Sequence, residues 1–348
     1  MRIHIKKLKI GDVLKTDIFN RQGLHVLAKK TKIRLEDIAL LNKHSIKFVD
    51  VEGSVEDRIA REVFNGTERP LRVKPNYDKS LREYQAFFLE AIISGEIDRS
   101  KIEWTLMPLL EQLDEQKDVL TLLFSFQKED ETIYNHSLQV GLLSYYIAEW
   151  LGYPKSERFE ICRAGYLHDI GKSRVRLSIR NRVGHLNDEE EKELQKHTSA
   201  GYQIIRNSLK DDTAALVALQ HHEREDGTGY PLGVHKEKIH PYAQIVAVAN
   251  EFISKTFVSA EQPKRNFSTV LQEMYELGFG KLNEKPVQAL IHNLLPNMIG
   301  KKVQLSNGHI GEIILNNPMD FFRPLVKVKE TFIDLSKERG LDIREIIV

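Results

Sequence analysis

Six residues able to hold a metal recur along one stretch of the chain: His136, the adjacent pair His168 and Asp169, His197, and the adjacent pair His221 and His222. The groups stand 32, 28 and 24 residues apart. Histidines and an aspartate at such intervals point to ligands delivered to one core by several helices. Neutral imidazoles bind borderline divalent cations such as manganese, iron, nickel or zinc, and one carboxylate can bridge two of them. Two ions about 3.5–4 Å apart would activate water and stabilise the attacking and leaving oxygens of a phosphodiester. The single cysteine, Cys162, lies in an apolar helical stretch, so no thiolate set for a structural zinc exists and Cys162 reads as a packed core residue.

Neighbouring helical side chains point about 100° apart, so each adjacent pair can serve a common site only at the edge of a cavity. A helix C-terminus, where the backbone can relax, is where such a pair belongs. Apolar spacing predicts helices over Glu83 to Ile93, Ile102 to Leu113 and Val119 to Phe126. The next helix carries His136, Val140, Leu143 and Ile147 on one stripe and stops at Gly152 and Pro154. Another runs from Glu157 to about Asp169, with His168 and Asp169 in its last turn before Gly171. Further helices are expected from Asp188 into the region of His197, over Asp212 to His222, and over Ile239 to Val258. Between the last two lies the turn HHEREDGTGYP, His221 to Pro231, rich in glycine and closed by proline.

Outside this stretch the pattern changes. Residues 1–64 read as a small α/β or β-rich accessory or sensory domain, with strand-like segments at Ile3 to Ile10, Gly23 to Leu27 and Ile46 to Val51 and a helix near Leu35 to Lys43. Residues 65–79, with two prolines and mixed charge, read as a linker, and 80–295 as the helical domain with its leading helices. Residues 296–348 form a β-rich appendage, signalled by alternating apolar residues around the hairpin pair Asn307-Gly308.

Charged residues make up 29% of the chain, yet they balance to a net +1. No long-range field favours a nucleic-acid polymer, so an anionic substrate must be captured by local groups. The beginning, MRIHIKKLKIG, has no continuous apolar core, and no window approaches about 18 uninterrupted apolar residues. The sequence therefore leads us to expect no signal peptide, no membrane span and a cytoplasmic location. The remaining histidines (His4, His25, His44, His185, His235, His240, His292 and His309) fit ordinary core or surface roles.

The motifs YNHSLQV around His136, YLHDIGK around His168, His197 followed by Gly201, HHEREDGTGYP, and IHPYAQIVAVANEF occur in that order over roughly residues 125–295. In this the chain resembles the HD-GYP domain family, the branch of the HD phosphohydrolase superfamily that hydrolyses the bacterial messenger cyclic di-GMP. The resemblance implies a mainly α fold with an HD-type helical bundle core. It implies two divalent transition metals, iron or manganese. One would be held by His197, His221, His222 and a bridging Asp169, the second by His136, His168, Asp169 and a residue of the helix after the GYP turn.

That last position departs from the family: where an aspartate is usual the chain has Asn250, an uncharged ligand, so the second site is expected to be weak. By the same resemblance Asp169 and Lys172 are catalytic, and Lys172, Gly229, Tyr230 and Lys264 contact substrate. Lys264 or Arg265 stands in for a basic element that is not otherwise recognisable. Thr132 occupies the place of a glutamate that supports a third metal in some members, so a third ion is not expected.

Two functions compete. In the first the protein hydrolyses cyclic di-GMP to pGpG or GMP. In the second a degenerate site only binds the nucleotide and acts as a receptor, a reading favoured by Asn250. A homodimer through the helices of residues 80–125, and a protein partner through the N-terminal domain, are further expectations.

Overall fold

The structure, a computed structural model of the 348-residue chain, describes residues 2–5, 12–20, 24–33, 46–52, 73–114, 117–126, 133–180, 185–256, 267–317 and 320–347, with a few single positions between them. The chain divides into two compact units, Met1–Arg69 and Pro70–Val348.

In the first unit, strand β1 (Arg2–His4) and strand β2 (Val13–Leu14) both pair antiparallel with β5 (Phe48–Glu52), while β3 (Ile18–Phe19) pairs with β4 (His25–Leu27). The inward residues Leu14, Ile18, Leu27, Ile33, Leu41, Val49 and Val51 form a small core of their own. Of the helix expected near Leu35 to Lys43, Asp37, Leu40, Leu41 and Lys43 are helical, and its other positions lie outside the described residues. Gly23 and the second half of the segment Ile3 to Ile10 also lie outside them.

The second unit begins with α1 (Lys74–Ile93), α2 (Arg99–Leu113) and α3 (Val119–Ser125). Helix α1 starts inside the stretch 65–79 that reads as a linker. Pro75 lies in its first turn, where a missing N–H costs nothing, so this proline starts a helix instead of breaking one. Helix α4 (Ile133–Trp150) is buried on nearly every side from Ser137 to Ala148, as its continuous apolar sequence requires. Helix α5 (Lys155–Leu167) returns antiparallel beside it. The two approach closely because Gly141 and Gly165 face each other: a side-chain carbon on Gly165 would lie 3.1 Å from the Gly141 Cα. That antiparallel contact brings His136, near the start of α4, to the same end as His168, which follows the last residue of α5.

A 3-10 turn (Ile170–Arg174) and the short α6 (Leu177–Arg180) lead to α7 (Asp188–Gln195), α8 (His197–Leu209) and α9 (Asp212–Gln220). Asn187 starts α7 with a capping box shared with Glu190, and Asp211 caps α9 through the Ala214 amide. The expected single helix from Asp188 through His197 is thus two helices, divided at Lys196. After the glycine-rich turn come α10 (Pro241–Thr256), α11 (Phe267–Leu277) and α12 (Glu284–Leu294).

The C-terminal strands β6 (Lys302–Leu305), β7 (Ile310–Leu315), β8 (Leu325–Val328), β9 (Thr331–Asp334) and β10 (Ile343–Ile347) form an antiparallel sheet in the order β10-β6-β7-β8-β9. Its β6–β7 hairpin turns at Asn307-Gly308, with Gly308 at φ +85°. Val303, Leu305, Ile313, Val326, Ile343 and Ile346 of this sheet pack in one continuous core with the helices. Among the described residues no helix is long and apolar enough to cross a membrane.

Candidate metal centre

The metal-ligand candidates collect at one end of the bundle because four chain segments terminate or begin there. His136 lies in the first turn of α4, and His168 is the residue directly after α5. Asp169 leaves the helical path at φ −99°, ψ 7°. His197 opens α8, and His221 ends α9 with His222 in the turn beyond it. Both adjacent pairs therefore sit at helix ends, where the two side chains can converge. The sequence places His168 and Asp169 inside the last helical turn; the helix in fact stops at Leu167, one residue before them.

The segments are pressed together by glycine. A side-chain carbon on Gly171 would lie 1.9 Å from the His197 carbonyl oxygen and 2.4 Å from the Gly201 nitrogen, so only glycine lets the 3-10 turn meet α8. Gly201 in turn packs against Ala218 of α9.

Asp169 is the centre of the cluster and is 1% exposed. Its Oδ1 lies 3.4 Å from His197 Nε2 and 3.8 Å from His221 Nε2. Its Oδ2 lies 3.3 Å from His168 Nε2, 4.0 Å from His136 Nε2 and 2.7 Å from the Lys172 ammonium. One carboxylate thus turns one oxygen to each of two groups of imidazoles. Two sets have ligand atoms close enough together to share an ion: His197, His221 and His222, and His136, His168 and Asp169.

The hydrogen bonds fix the tautomers. Nδ1 of His168, His197 and His221 faces the carbonyl oxygens of Gly165, Leu194 and Ala218 at 2.7, 2.6 and 2.9 Å. Each Nδ1 must donate its proton there, which leaves an Nε2 lone pair on every neutral ring. Those lone pairs point at Asp169 and at each other, with the Nε2 atoms of His197 and His221 only 3.3 Å apart. Protonation could resolve the clash only against burial, which pushes His197 down to about 4 despite the attraction of Asp169. Burial and neighbouring histidines likewise hold His221 and His222 well below the usual imidazole value. For Asp169, burial opposes ionisation, but Lys172 and His168 outweigh it and keep the carboxyl well below its ordinary range. The His168 Nε2 and Asp169 Oδ1 are buried with no hydrogen-bond partner. Converging acceptors with orphaned buried atoms fit a divalent cation, which supplies the positive charge the protein withholds.

Asn250, on α10, stands where the resemblance places the last ligand, with its Oδ1 2.9 Å from His136 Nε2. As an acceptor it holds a proton on the nitrogen that would otherwise face an ion. Gly229 and Tyr230 fall in the turn beside the cluster, the Tyr230 ring stacked on His222 with centroids 4.6 Å apart, and Tyr230-Pro231 is a cis peptide. Thr228 is engaged internally: both its amide and its hydroxyl donate to Asp226, at 3.0 and 2.6 Å. Lys264, Arg265 and Thr132 lie outside the described residues.

Sequence reasoning missed Glu223 and Gln220. Glu223 is 2% exposed and accepts the amides of Leu232 and Val234 at 2.7 and 3.2 Å. Gln220 accepts the His240 amide at 2.8 Å and donates to the Lys238 carbonyl at 3.0 Å, tying the far end of the turn to α9. The available signal was a carboxylate beside a glycine-rich turn, whose many free amides need acceptors.

Residues 125–277 match the family model of the HD domain. A cyclic di-GMP phosphodiesterase of Pseudomonas aeruginosa is 30% identical over 212 residues, covering 61% of this chain and 51% of that protein. A cyclic di-GMP phosphodiesterase of Thermotoga maritima is 37% identical over 142 residues, covering 40% and 38%. A 3'3'-cGAMP-specific phosphodiesterase of Vibrio cholerae is 36% identical over 130 residues, covering 37% and 28%. The chain thus spans about half or less of these relatives. The solved structure of an HDG"Y"P protein from Bdellovibrio bacteriovorus superposes with a TM-score of 0.51 at 18% identity, covering 83% of this chain and 97% of that one, a likeness of fold. With the ligand-bearing helix ends assembled and the HHEREDGTGYP turn folded beside them, residues 125–277 are an HD domain, and the chain is similar there to cyclic-dinucleotide phosphodiesterases.

Proposed function

We propose that this protein is a metal-dependent phosphodiesterase that opens cyclic di-GMP to linear pGpG or onward to GMP. The observation that carries the reading is Asp169, whose two oxygens serve two separate imidazole groups within one buried cluster. That is the arrangement a pair of divalent ions requires of a shared carboxylate. His197, His221, His222 and Asp169 would hold one ion; His136, His168, Asp169 and Asn250 would hold the other. A donor set of nitrogen and oxygen without thiolate suits iron or manganese. Bound there, such ions lower the pKa of water and neutralise charge on a phosphoryl group.

The chain's own residues supply the rest. The Lys172 ammonium lies 2.7 Å from Asp169 on a side chain that is a quarter exposed, so it would be available to a phosphate oxygen. The carbonyl-bonded histidines keep their Nε2 atoms aimed inward without reorganisation. Gly229 and Tyr230, in the turn stacked on His222, would contact the substrate beside the cluster. The names of the Pseudomonas and Thermotoga relatives support cyclic di-GMP as substrate, and the Vibrio relative names a second cyclic dinucleotide.

One observation favours a receptor instead. Asn250 contributes no charge and is already bonded to His136, so the second half of the cluster is the poorer one. The deciding experiment is product analysis after anaerobic incubation with cyclic di-GMP and either Mn(II) or Fe(II). Formation of pGpG or GMP that Asp169→Ala abolishes supports the phosphodiesterase. Unchanged cyclic di-GMP with both metals overturns it in favour of the receptor, most clearly where Asn250→Asp restores turnover.

A further inference from the structure

His168, His197 and His221 are all oriented in the same way, by Nδ1 donating to the carbonyl three residues earlier. His222 is the exception: among the described residues its ring makes no such bond. Its imidazole is covered by the Tyr230 ring, with an interplanar angle of 20° and centroids 4.6 Å apart. The same two residues are joined through the main chain, the Tyr230 amide donating to the His222 carbonyl at 3.3 Å. The turn is folded so tightly on the histidine pair that a side-chain carbon on Gly229 would lie 2.4 Å from both the His222 oxygen and the Arg224 nitrogen.

Glu223 is what fastens that turn. Its carboxylate is buried directly after His222, and its two oxygens accept the amides of Leu232 and Val234, two and four residues beyond Tyr230. A buried carboxylate with two amide donors is a strong, geometrically exacting clamp.

We propose that Glu223 and Tyr230 are positioning residues for the metal centre: Glu223 fastens the turn, and the Tyr230 ring fixes the His222 imidazole, which lacks the carbonyl bond that orients His168, His197 and His221 among the described residues. The proposal rests on the reading of the cluster as a metal centre. It concerns the ring of Tyr230, since the stacked face makes the contact. Residues that orient metal ligands typically change metal affinity by about 10–100-fold when removed.

The test is titration of the metal-free full chain with Mn(II), the free ion being read by electron paramagnetic resonance, with circular dichroism and melting curves on every variant. Tyr230→Phe keeps the ring and is expected to bind Mn(II) as the wild type does. Tyr230→Ala is expected to bind about 10–100-fold more weakly while its melting curve stays close to wild type. Glu223→Gln should shift in the same direction, because its amide nitrogen must face one of two N–H donors. If Glu223→Gln fails to fold, the Tyr230 pair decides alone. A folded Tyr230→Ala with wild-type affinity, a Tyr230→Phe weakened as much as Tyr230→Ala, or no Mn(II) binding by the wild type overturns the proposal. Turnover of cyclic di-GMP is scored separately. Equal Mn(II) affinities with turnover intact sink only the positioning role; the expected affinity pattern without turnover sinks only the phosphodiesterase.

Discussion

Gly171 and Gly201 lie backbone against backbone, and the contact places Asp169 beside His197. A methyl group on Gly171 has no room, since it would fall 1.9 Å from the His197 carbonyl oxygen. Gly171→Ala must therefore push the 3-10 turn away from α8 and separate the carboxylate from one of its imidazole groups. Overpacking of this kind costs about 1–3 kcal/mol of stability. A misplacement on the order of 1 Å costs about 100-fold in turnover. The expected result is a folded protein with a lower melting temperature and little hydrolysis; full activity in Gly171→Ala would show that this contact does not set the site.

Asn250→Asp tests the impoverished half of the cluster. The change is isosteric, so the 2.9 Å approach to His136 survives while an anionic oxygen replaces a neutral one. The second metal equivalent should bind about tenfold or more tightly, a gain of roughly 1.4 kcal/mol or greater. Metal content after dialysis, measured beside turnover, reads both consequences. Unaltered stoichiometry and rate would mean that Asn250 does not limit the site.

The candidate ligands were legible in the sequence because ligand atoms announce themselves by residue type. His168 and Asp169, and His221 and His222, also revealed their setting, since adjacent ligands can converge only at a helix end, where all four are found. The support of the site was much less legible. Gly171 reads as a helix stop, but its role is an approach between segments thirty residues apart, which no local pattern encodes. Glu223 is one letter within the HHEREDGTGYP stretch, and only the folded turn shows its carboxylate accepting the Leu232 amide. Pro75 signals a break in a charged stretch, yet at a first turn the same residue begins a helix. The joining of the C-terminal sheet to the helical core was hidden for the same reason: alternation predicts strands, not what they pack against.

Stability of the metal-free protein should fall as the medium is acidified below neutrality. In the folded chain His197 protonates only near 4, against an ordinary value of 6.5, because it is buried. Between those two values the unfolded chain binds the extra proton and the folded one does not, so stability rises with pH across the window and is lost as pH falls through it. Across that window the His197 shift is on the order of 3 kcal/mol of stability, shared with the groups it is coupled to, and His221 and His222 are shifted in the same direction. Asp169 acts elsewhere: its depressed value stabilises the fold above the ordinary carboxylate range and is lost only in stronger acid. Urea unfolding of chelator-treated protein at pH 7, 5.5 and 4.5 should show the decline, and a flat profile would contradict it. Mn(II), which needs neutral imidazoles, should raise the melting temperature more at pH 7 than at pH 5.

Lys172→Met separates a structural lysine from one that belongs to the charge balance of the site. Its ammonium lies 2.7 Å from an Asp169 oxygen, and Asp169 is almost wholly buried. Removing one partner of a buried pair leaves a charge without compensation; because the lysine side chain is a quarter exposed, we expect a loss of about 2 kcal/mol in the metal-free protein. Divalent ions in the cluster would provide that compensation themselves, so the same substitution should cost markedly less once Mn(II) is present. A lysine that merely favours the end of α5 through the helix dipole would instead lose the same small amount in both states. Melting curves of wild type and Lys172→Met, each with chelator and with excess Mn(II), give the four values needed. A metal-dependent gap places Lys172 in the charge balance of Asp169, and equal gaps assign it to the helix end.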